Sequence, residues 1–235
     1  MKNVLVTGSN GLVGKYLVNA LHLRKDINLY TFNRNHDLNM VLDKDYIFHL
    51  AGVIKPKQIE EYESSNYLLT KSICDKLESY NQKPIIIFSS SIRATCDTPY
   101  GISKKRSEEV IKNWAIKNNT SCIIYRFASI ISKSCKPNYN SVISTFCHNA
   151  FHDLPLIISN EYEILEFIHI NDVIKSLVSI LDEGGSSKIY MESDPIYKIS
   201  LGDLANTIRS FKKLKNPNFD NEFDRYLYEV YINNK

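Results

Sequence analysis

The sequence has 235 residues, 43% hydrophobic and 23% charged, the balance of a globular chain able to bury a full core. A net charge of +3, with no basic run longer than Lys104-Lys-Arg106, excludes the electrostatic footprint of a nucleic-acid or membrane-surface binder. No apolar stretch approaches a membrane span and the N-terminus enters a strand at once without a signal peptide, so a soluble cytoplasmic protein is expected.

The first element is Val4-Leu-Val-Thr-Gly-Ser-Asn-Gly-Leu-Val-Gly14, an apolar run joined through three glycines to Lys15-Tyr-Leu-Val-Asn-Ala-Leu21, which continues at helical period. Gly8 can take a tight turn, Gly11 lets the backbone approach a pyrophosphate, and Gly14 lets helix and strand pack closely. The helix N-terminus favours the phosphates' charge. Thr7, Gly8, Asn10, Gly11, Leu12, Val13 and Gly14 therefore form a candidate dinucleotide cradle. Ile27-Asn-Leu-Tyr-Thr-Phe32 reads as the second strand and ends beside Arg34, where an acid would bind the ribose 2′-hydroxyl of NAD and an arginine accommodates the 2′-phosphate of NADP. Arg34 precedes Asp37, so NADP(H) is preferred, with NAD(H) possible.

Tyr46-Ile-Phe-His-Leu50 is a third strand running into Ala51-Gly52, so Leu50, Ala51 and Gly52 are placed where the chain passes the cofactor. His49, inside this apolar run, is expected to be a satisfied core histidine. Ile59 to Tyr80 reads as one amphipathic crossover helix, and Ile85-Ile-Ile-Phe88 as the fourth strand. A helix opens at Pro99 and runs through Trp114 and Ile116, followed by a fifth strand, Cys122-Ile-Ile-Tyr125, ending at Arg126. From Ser129 to Pro155 the alternation of strand and helix breaks down, with an apolar helical pattern over Val142 to Phe151. Asp172 to Leu181 and Leu201 to Phe211 read as helices around a strand at Lys188 to Met191, and Phe219 to Tyr231 as a tail helix. The fold expected is α/β, a doubly wound parallel sheet of Rossmann type. Residues 1–128 would be the dinucleotide-binding core and 129–235 mainly a small C-terminal substrate lobe, with parts returning to the core.

Tyr100-Gly-Ile-Ser-Lys104 supplies the chemistry. Residues four apart share a helix face, so the Lys104 ammonium is expected beside the Tyr100 phenol, favouring the phenolate and reaching the nicotinamide ribose. A phenol tuned from its usual ~10 becomes a proton donor at neutral pH. Ser89-Ser-Ser91 ends the fourth strand at the edge where open α/β sheets bind ligands; Ser91 can hydrogen-bond a substrate carbonyl, Ser89 adjoins the cofactor, and Ser89 and Ser90 are expected to satisfy backbone groups. Five cysteines at irregular spacing (Cys74, Cys96, Cys122, Cys135, Cys147) call for neither disulfides nor a metal.

The Thr-Gly-x-x-Gly-x-x-Gly turn followed by Tyr-x-x-x-Lys resembles the extended short-chain dehydrogenase/reductase superfamily. That resemblance implies Ser91, Tyr100 and Lys104 as catalytic residues, with Asn66 matching loosely the asparagine that holds a water behind the lysine. The Ser91 to Tyr100 interval is shorter than usual there, and Ser129 stands where extended members have asparagine three residues after the arginine of Arg126-Phe-Ala-Ser129. Leu50-Ala-Gly-Val-Ile-Lys-Pro56, Ser89-Ser-Ser-Ile-Arg-Ala-Thr95 with Pro99 to Lys104, and Cys135-Lys-Pro-Asn-Tyr-Asn-Ser-Val-Ile143 with Thr145-Phe-Cys147 are similar to one subfamily. It is the reductase part of the capsular polysaccharide and O-antigen enzymes of UDP-N-acetyl-L-fucosamine synthesis. In that subfamily a cupin domain follows, and this sequence ends at Lys235, where the cupin would begin.

The resemblance implies NADPH-dependent reduction of the 4-keto group of a UDP-2-acetamido-2,6-dideoxy-hexos-4-ulose by a homodimer. The substrate would be a UDP-linked 4-keto-6-deoxy amino sugar held by Ser91, Arg93, Arg126, Lys136, Tyr139 and Asn140. The bland alternative for Asn138-Tyr-Asn-Ser141 is a helix cap. Two competing functions are a sugar-nucleotide epimerase or dehydratase on the same fold and a non-catalytic cofactor-binding protein. Dehydration needs Asp-Glu directly after the catalytic hydroxyl, where Ile92-Arg93 stands, and an intact Ser91, Tyr100 and Lys104 argue against lost catalysis.

Overall fold

The computed structural model describes residues 1–185, 188–214 and 218–234, and the chain forms two compact units. The first comprises Met1–Phe127 and Val173–Ser193. Its sheet has six parallel strands in the order β2-β1-β3-β4-β5-β8: β1 Lys2–Thr7, β2 Ile27–Phe32, β3 Tyr46–His49, β4 Ile85–Ser91, β5 Cys122–Phe127 and β8 Tyr190–Met191. The order reverses at β1, which has β2 on one side and β3 on the other. In open α/β sheets that reversal opens a crevice at the carboxyl ends of the strands.

Helix α1 (Leu12–Leu21) joins β1 to β2; α2 (Leu69–Ser79) and α3 (Pro99–Asn118) make the crossovers flanking β4. Ile73, Leu77, Ile111 and Trp114 on α2 and α3 pack with Leu5, Ile47, Ile86 and Ile124 of the strands into one buried cluster. The middles of the central strands, Val4 to Val6, Ile47 to Phe48, Ile86 to Phe88 and Ile123 to Tyr125, are apolar and buried because helices deny water both faces. The crossover helix expected from Ile59 to Tyr80 is present, but its first part is a π-helix, Glu63–Leu68, that runs directly into α2 at Leu69, and the wider turn carries Asn66 into the interior at 2% exposure.

The second unit comprises Ala128–Asp172 and Asp194–Lys235. A three-stranded sheet, ordered β6-β7-β9, is built from β6 Ser129–Ile131, β7 Ile164–His169 and β9 Tyr197–Ser200, with β6 and β7 parallel and β7 and β9 antiparallel. Helices α4 (Val142–Phe151), α6 (Leu201–Ser210) and α7 (Glu222–Ile232) bury Phe146, Leu204, Ile208 and Leu227 with Phe167 and Ile131. This sheet departs from the sequence expectation, which had no strand at β6, β7 or β9. Their partners are distant in sequence, so each short segment carries no pairing signal of its own. Helix α5 (Ile170–Glu183) begins in this unit and carries the chain back into the first.

Candidate active site

The glycine turn is built by sterics. Gly8 has φ +68°, and a Cβ there would lie 2.6 Å from the Ala51 nitrogen; at Gly14 a Cβ would lie 2.2 Å from the Gly8 carbonyl oxygen. Gly11 is different, since its nearest neighbour would be that carbonyl oxygen at 3.2 Å, leaving its outer side open. It is the N-cap of α1, contributes no side chain to the cap, and no acid occupies the first turn. The free N–H groups and the helix dipole thus remain available to an anion.

Beneath the turn, Thr7 and His49 are register partners on β1 and β3. The Thr7 hydroxyl lies 2.8 Å from His49 Nδ1 and accepts from the Ala51 amide at 3.1 Å, and His49 Nε2 lies 2.9 Å from the Thr70 hydroxyl. Both ring nitrogens are satisfied. Burial, and then the charge of Lys104, holds the His49 imidazole down to about 3, so it stays neutral. At the end of β2, the Asn33 side-chain oxygen accepts from Ser9 and Asn10 of the turn, both at 3.2 Å. Arg34 is exposed and enters none of the ion pairs among the described residues. Asp37 is occupied in capping a 3-10 turn, accepting from the Asn39 amide at 2.8 Å and its side chain at 2.9 Å.

Helix α3 meets the end of β4. Thr98 caps the helix, accepting from the Gly101 amide at 3.1 Å, and Pro99 occupies the first turn, where its missing N–H costs nothing. A Cβ on Gly101 would lie 2.3 Å from the Arg93 carbonyl oxygen and 2.4 Å from that of Cys96. Glycine therefore lets the short Ser91-to-Tyr100 connection fold tightly over the helix. Tyr100 hydrogen-bonds Ser91, and its ring packs against Tyr62 at 5.8 Å. Burial raises the phenol above its ordinary value, opposed by the Ser91 hydrogen bond; Tyr62 adds to the rise and Arg93 opposes it. The expectation that Lys104 would favour the phenolate is not met in this arrangement. Lys104 is 6% exposed; its ammonium donates to the Ser89 carbonyl at 2.6 Å and lies 4.5 Å from the Phe88 ring centroid. Burial lowers it to about 8, with Glu108 acting the other way.

Asn66 closes the back of this group. Its side-chain oxygen accepts from the Val53 amide at 2.7 Å, and its nitrogen donates to the Val53 carbonyl at 3.1 Å and the Ser103 hydroxyl at 3.0 Å. A Cβ on Gly52 would meet that oxygen at 2.9 Å and the Lys104 ammonium at 3.6 Å, so a bare backbone keeps the space before Lys104 clear. Leu50, Ala51 and Gly52 thus face the glycine turn on one side and the Asn66 and Lys104 pair on the other.

One buried acid escaped the sequence reading. Glu108, 1% exposed, accepts from Arg126 Nε at 2.9 Å and Nη2 at 2.6 Å, from the Ser90 hydroxyl at 2.5 Å and from the Tyr190 hydroxyl at 3.2 Å. Ser90 therefore serves a carboxylate, not the backbone groups expected for it. Arg126, expected at a diphosphate, has its charge matched by Glu108. The signal was the repeat of Tyr100, Lys104 and Glu108 every four residues along α3. Of the other substrate candidates, Arg93 is exposed in the first unit, while Lys136, Tyr139 and Asn140 are exposed in the second. Beside them Ser141 caps α4, accepting from the Ser144 amide at 3.2 Å.

The residues fit a nicotinamide dinucleotide: a glycine turn that side chains would fill, an uncapped helix N-terminus, and a buried amine facing a bare glycine. When bound, such a cofactor supplies a hydride or accepts one.

Residues 4–191 match the model of the NAD dependent epimerase/dehydratase family. The chain is 33% identical, over 97% of its own length, to a UDP-2-acetamido-2,6-beta-L-arabino-hexul-4-ose reductase of Pseudomonas aeruginosa, of which it spans 64%. The capsular polysaccharide assembling protein CapF of Staphylococcus aureus superposes with a TM-score of 0.82 at 30% identity, covering 99% of this chain and 65% of that one. A UDP-glucuronic acid 4-epimerase of Bacillus cereus shares the fold, with a TM-score of 0.77 at 17% identity over 91% of this chain and 85% of that one.

Proposed function

The chain belongs to the NAD dependent epimerase/dehydratase family, and we propose that it is an NADP(H)-dependent 4-ketoreductase of a UDP-2-acetamido-2,6-dideoxy-hexos-4-ulose. One observation carries this reading: Ser91 and Tyr100 share a hydrogen bond while Lys104, four residues on, lies buried against the same strand end. Reduction of a ketone needs an acid that is protonated before the reaction and an oxygen ligand beside it. The raised phenol of Tyr100 keeps its proton at neutral pH and can pass it to the carbonyl oxygen as that oxygen gains charge. Ser91 offers the same oxygen a second hydrogen bond. Lys104 brings a positive charge to the site and would hold the cofactor ribose, and Asn66 fixes the Val53 segment behind it.

The Pseudomonas relative, whose name specifies a UDP-linked 4-ulose, supports the substrate class. Arg34, with Asp37 already engaged, supports preference for NADP(H) over NAD(H). The reading extends to capsule or O-antigen sugar-nucleotide synthesis on the route to UDP-N-acetyl-L-fucosamine, in the cytoplasm, by a homodimer. Its dinucleotide-binding residues are Thr7, Gly8, Asn10 to Gly14, Arg34, Leu50 to Gly52, Ser89, Tyr100 and Lys104. Lys136, Tyr139 and Asn140 of the second unit, and Arg93 of the first, are exposed candidates for substrate contact.

The test is loss of reduced-nicotinamide absorbance when the protein is incubated with NADPH and the UDP-4-keto sugar. Tyr100→Phe should lower turnover by ~10² to 10⁴ while NADPH binding survives. Near-normal turnover in Tyr100→Phe would end the assignment, and interconversion of sugar epimers with no net NADPH loss would make the protein an epimerase instead.

A further inference from the structure

Three consecutive serines end β4, and helix α3 holds each of them. Tyr100 bonds Ser91, Lys104 donates to the Ser89 carbonyl at 2.6 Å, and Glu108 accepts from Ser90 at 2.5 Å. The three helix residues recur every four positions, so they lie along one face. The sequence motif read as Tyr-x-x-x-Lys is in the fold a longer one, Tyr100-x-x-x-Lys104-x-x-x-Glu108.

Glu108 reaches further than the other two. Ser90 and Arg126 are register partners on β4 and β5, and the carboxylate binds both; through Tyr190 it also holds β8, a strand of two residues. Arg126 in turn lies 4.7 Å from the Tyr190 ring centroid. A carboxylate this buried is costly unless paired, and it faces two cations, Arg126 across the sheet and Lys104 one turn back. The groups facing Lys104 are the neutral His49 of β3, the Ser89 carbonyl and Phe88 ring of β4, and Glu108 on its own helix. Those facing Glu108 are Ser90, Arg126, Tyr190 and Lys104. Glu108 is thus the acid set against Lys104 in this group.

We propose that Glu108 is a positioning residue of the active site: its carboxylate anchors the strand end that carries Ser91 and supplies the counter-charge for Lys104. Burial alone drives Lys104 toward neutrality, and Glu108 opposes it, leaving the amine at about 8. The kinetic consequence rests on the reductase reading; the effect on Lys104 does not.

The experiment is an NMR titration of protein labelled at lysine Cε, with the Lys104 resonance assigned by its loss in Lys104→Met. In Glu108→Gln the Lys104 midpoint should fall by at least about one pH unit, as expected for removing an opposite charge one helical turn away at an effective dielectric near 20. In Glu108→Asp, which keeps the carboxylate but withdraws it by one methylene, it should fall by less. An unmoved midpoint in Glu108→Gln overturns the proposal, and where that variant does not fold, an unmoved midpoint in Glu108→Asp does the same. An activity that needs charged Lys104 is present below its pKa and lost above it. The alkaline limb of NADPH-dependent reduction should therefore move to lower pH in Glu108→Gln by the same interval as the resonance. Because the titration needs no turnover, its failure is distinct from that of the reductase reading, which Tyr100→Phe decides.

Discussion

Two alanine substitutions in the glycine turn should separate packing from ligand binding. At Gly14 a Cβ would sit 2.2 Å from the Gly8 carbonyl oxygen and 2.8 Å from the Ser9 Cα, so α1 would have to retreat from β1 by most of an ångström. Overpacking of this kind costs about 1–3 kcal/mol, and since both clashing partners are backbone the upper end applies. At roughly 2–4 °C per kcal/mol for a chain of this size, Gly14→Ala should melt about 6–12 °C below wild type. Gly11→Ala meets only the Gly8 carbonyl, at 3.2 Å, in an extended conformation of φ −75° that alanine adopts freely. Its fold should lose less than about 1 kcal/mol, the scale of a helix-cap change. NADPH affinity should nevertheless fall at least about tenfold, because a methyl group would stand where the pyrophosphate approaches. Thermal melts and NADPH fluorescence titrations on both variants give the answer. A Gly14→Ala protein melting with wild type would refute the packing argument, and a Gly11→Ala protein binding NADPH normally would refute the cradle.

Arg34→Ala should weaken NADPH by roughly tenfold to a hundredfold, the worth of one charge-assisted hydrogen bond, with little change for NADH; equal losses would remove Arg34 from cofactor choice. His49 is held down to about 3 when folded against 6.5 ordinarily, so the unfolded chain protonates first and stability is lost as pH falls from about 6.5 toward 3. Its share between pH 7 and pH 5 is about 2 kcal/mol in urea unfolding, and an unchanged pH slope in His49→Gln would contradict it. Lys136→Ala with Asn140→Ala should weaken UDP-N-acetyl-sugar binding about tenfold; unaltered binding would leave the segment only its observed part in capping α4 through Ser141.

What the sequence by itself determined were the features carried by local pattern. Apolar runs marked β1 to β5, 3.6-residue periodicity marked the helices, and the offsets of Gly8, Gly11 and Gly14 marked the turn, because each depends on neighbours within a few residues. Tyr100 and Lys104 were legible for the same reason, being one turn apart on one helix. Features that need long-range contact were not. The second sheet joins β6 to β7 and β7 to β9 across some thirty residues, in the part of the chain where the strand and helix alternation that framed β1 to β5 has broken down. The π-turn at Glu63–Leu68 depends on Asn66 reaching Val53 and Ser103, which no helix propensity encodes. Tertiary structure also decided the charges. Lys104 turned to the Ser89 carbonyl and Arg126 to a buried Glu108, since a charged group removed from water takes the partner the fold sets within reach.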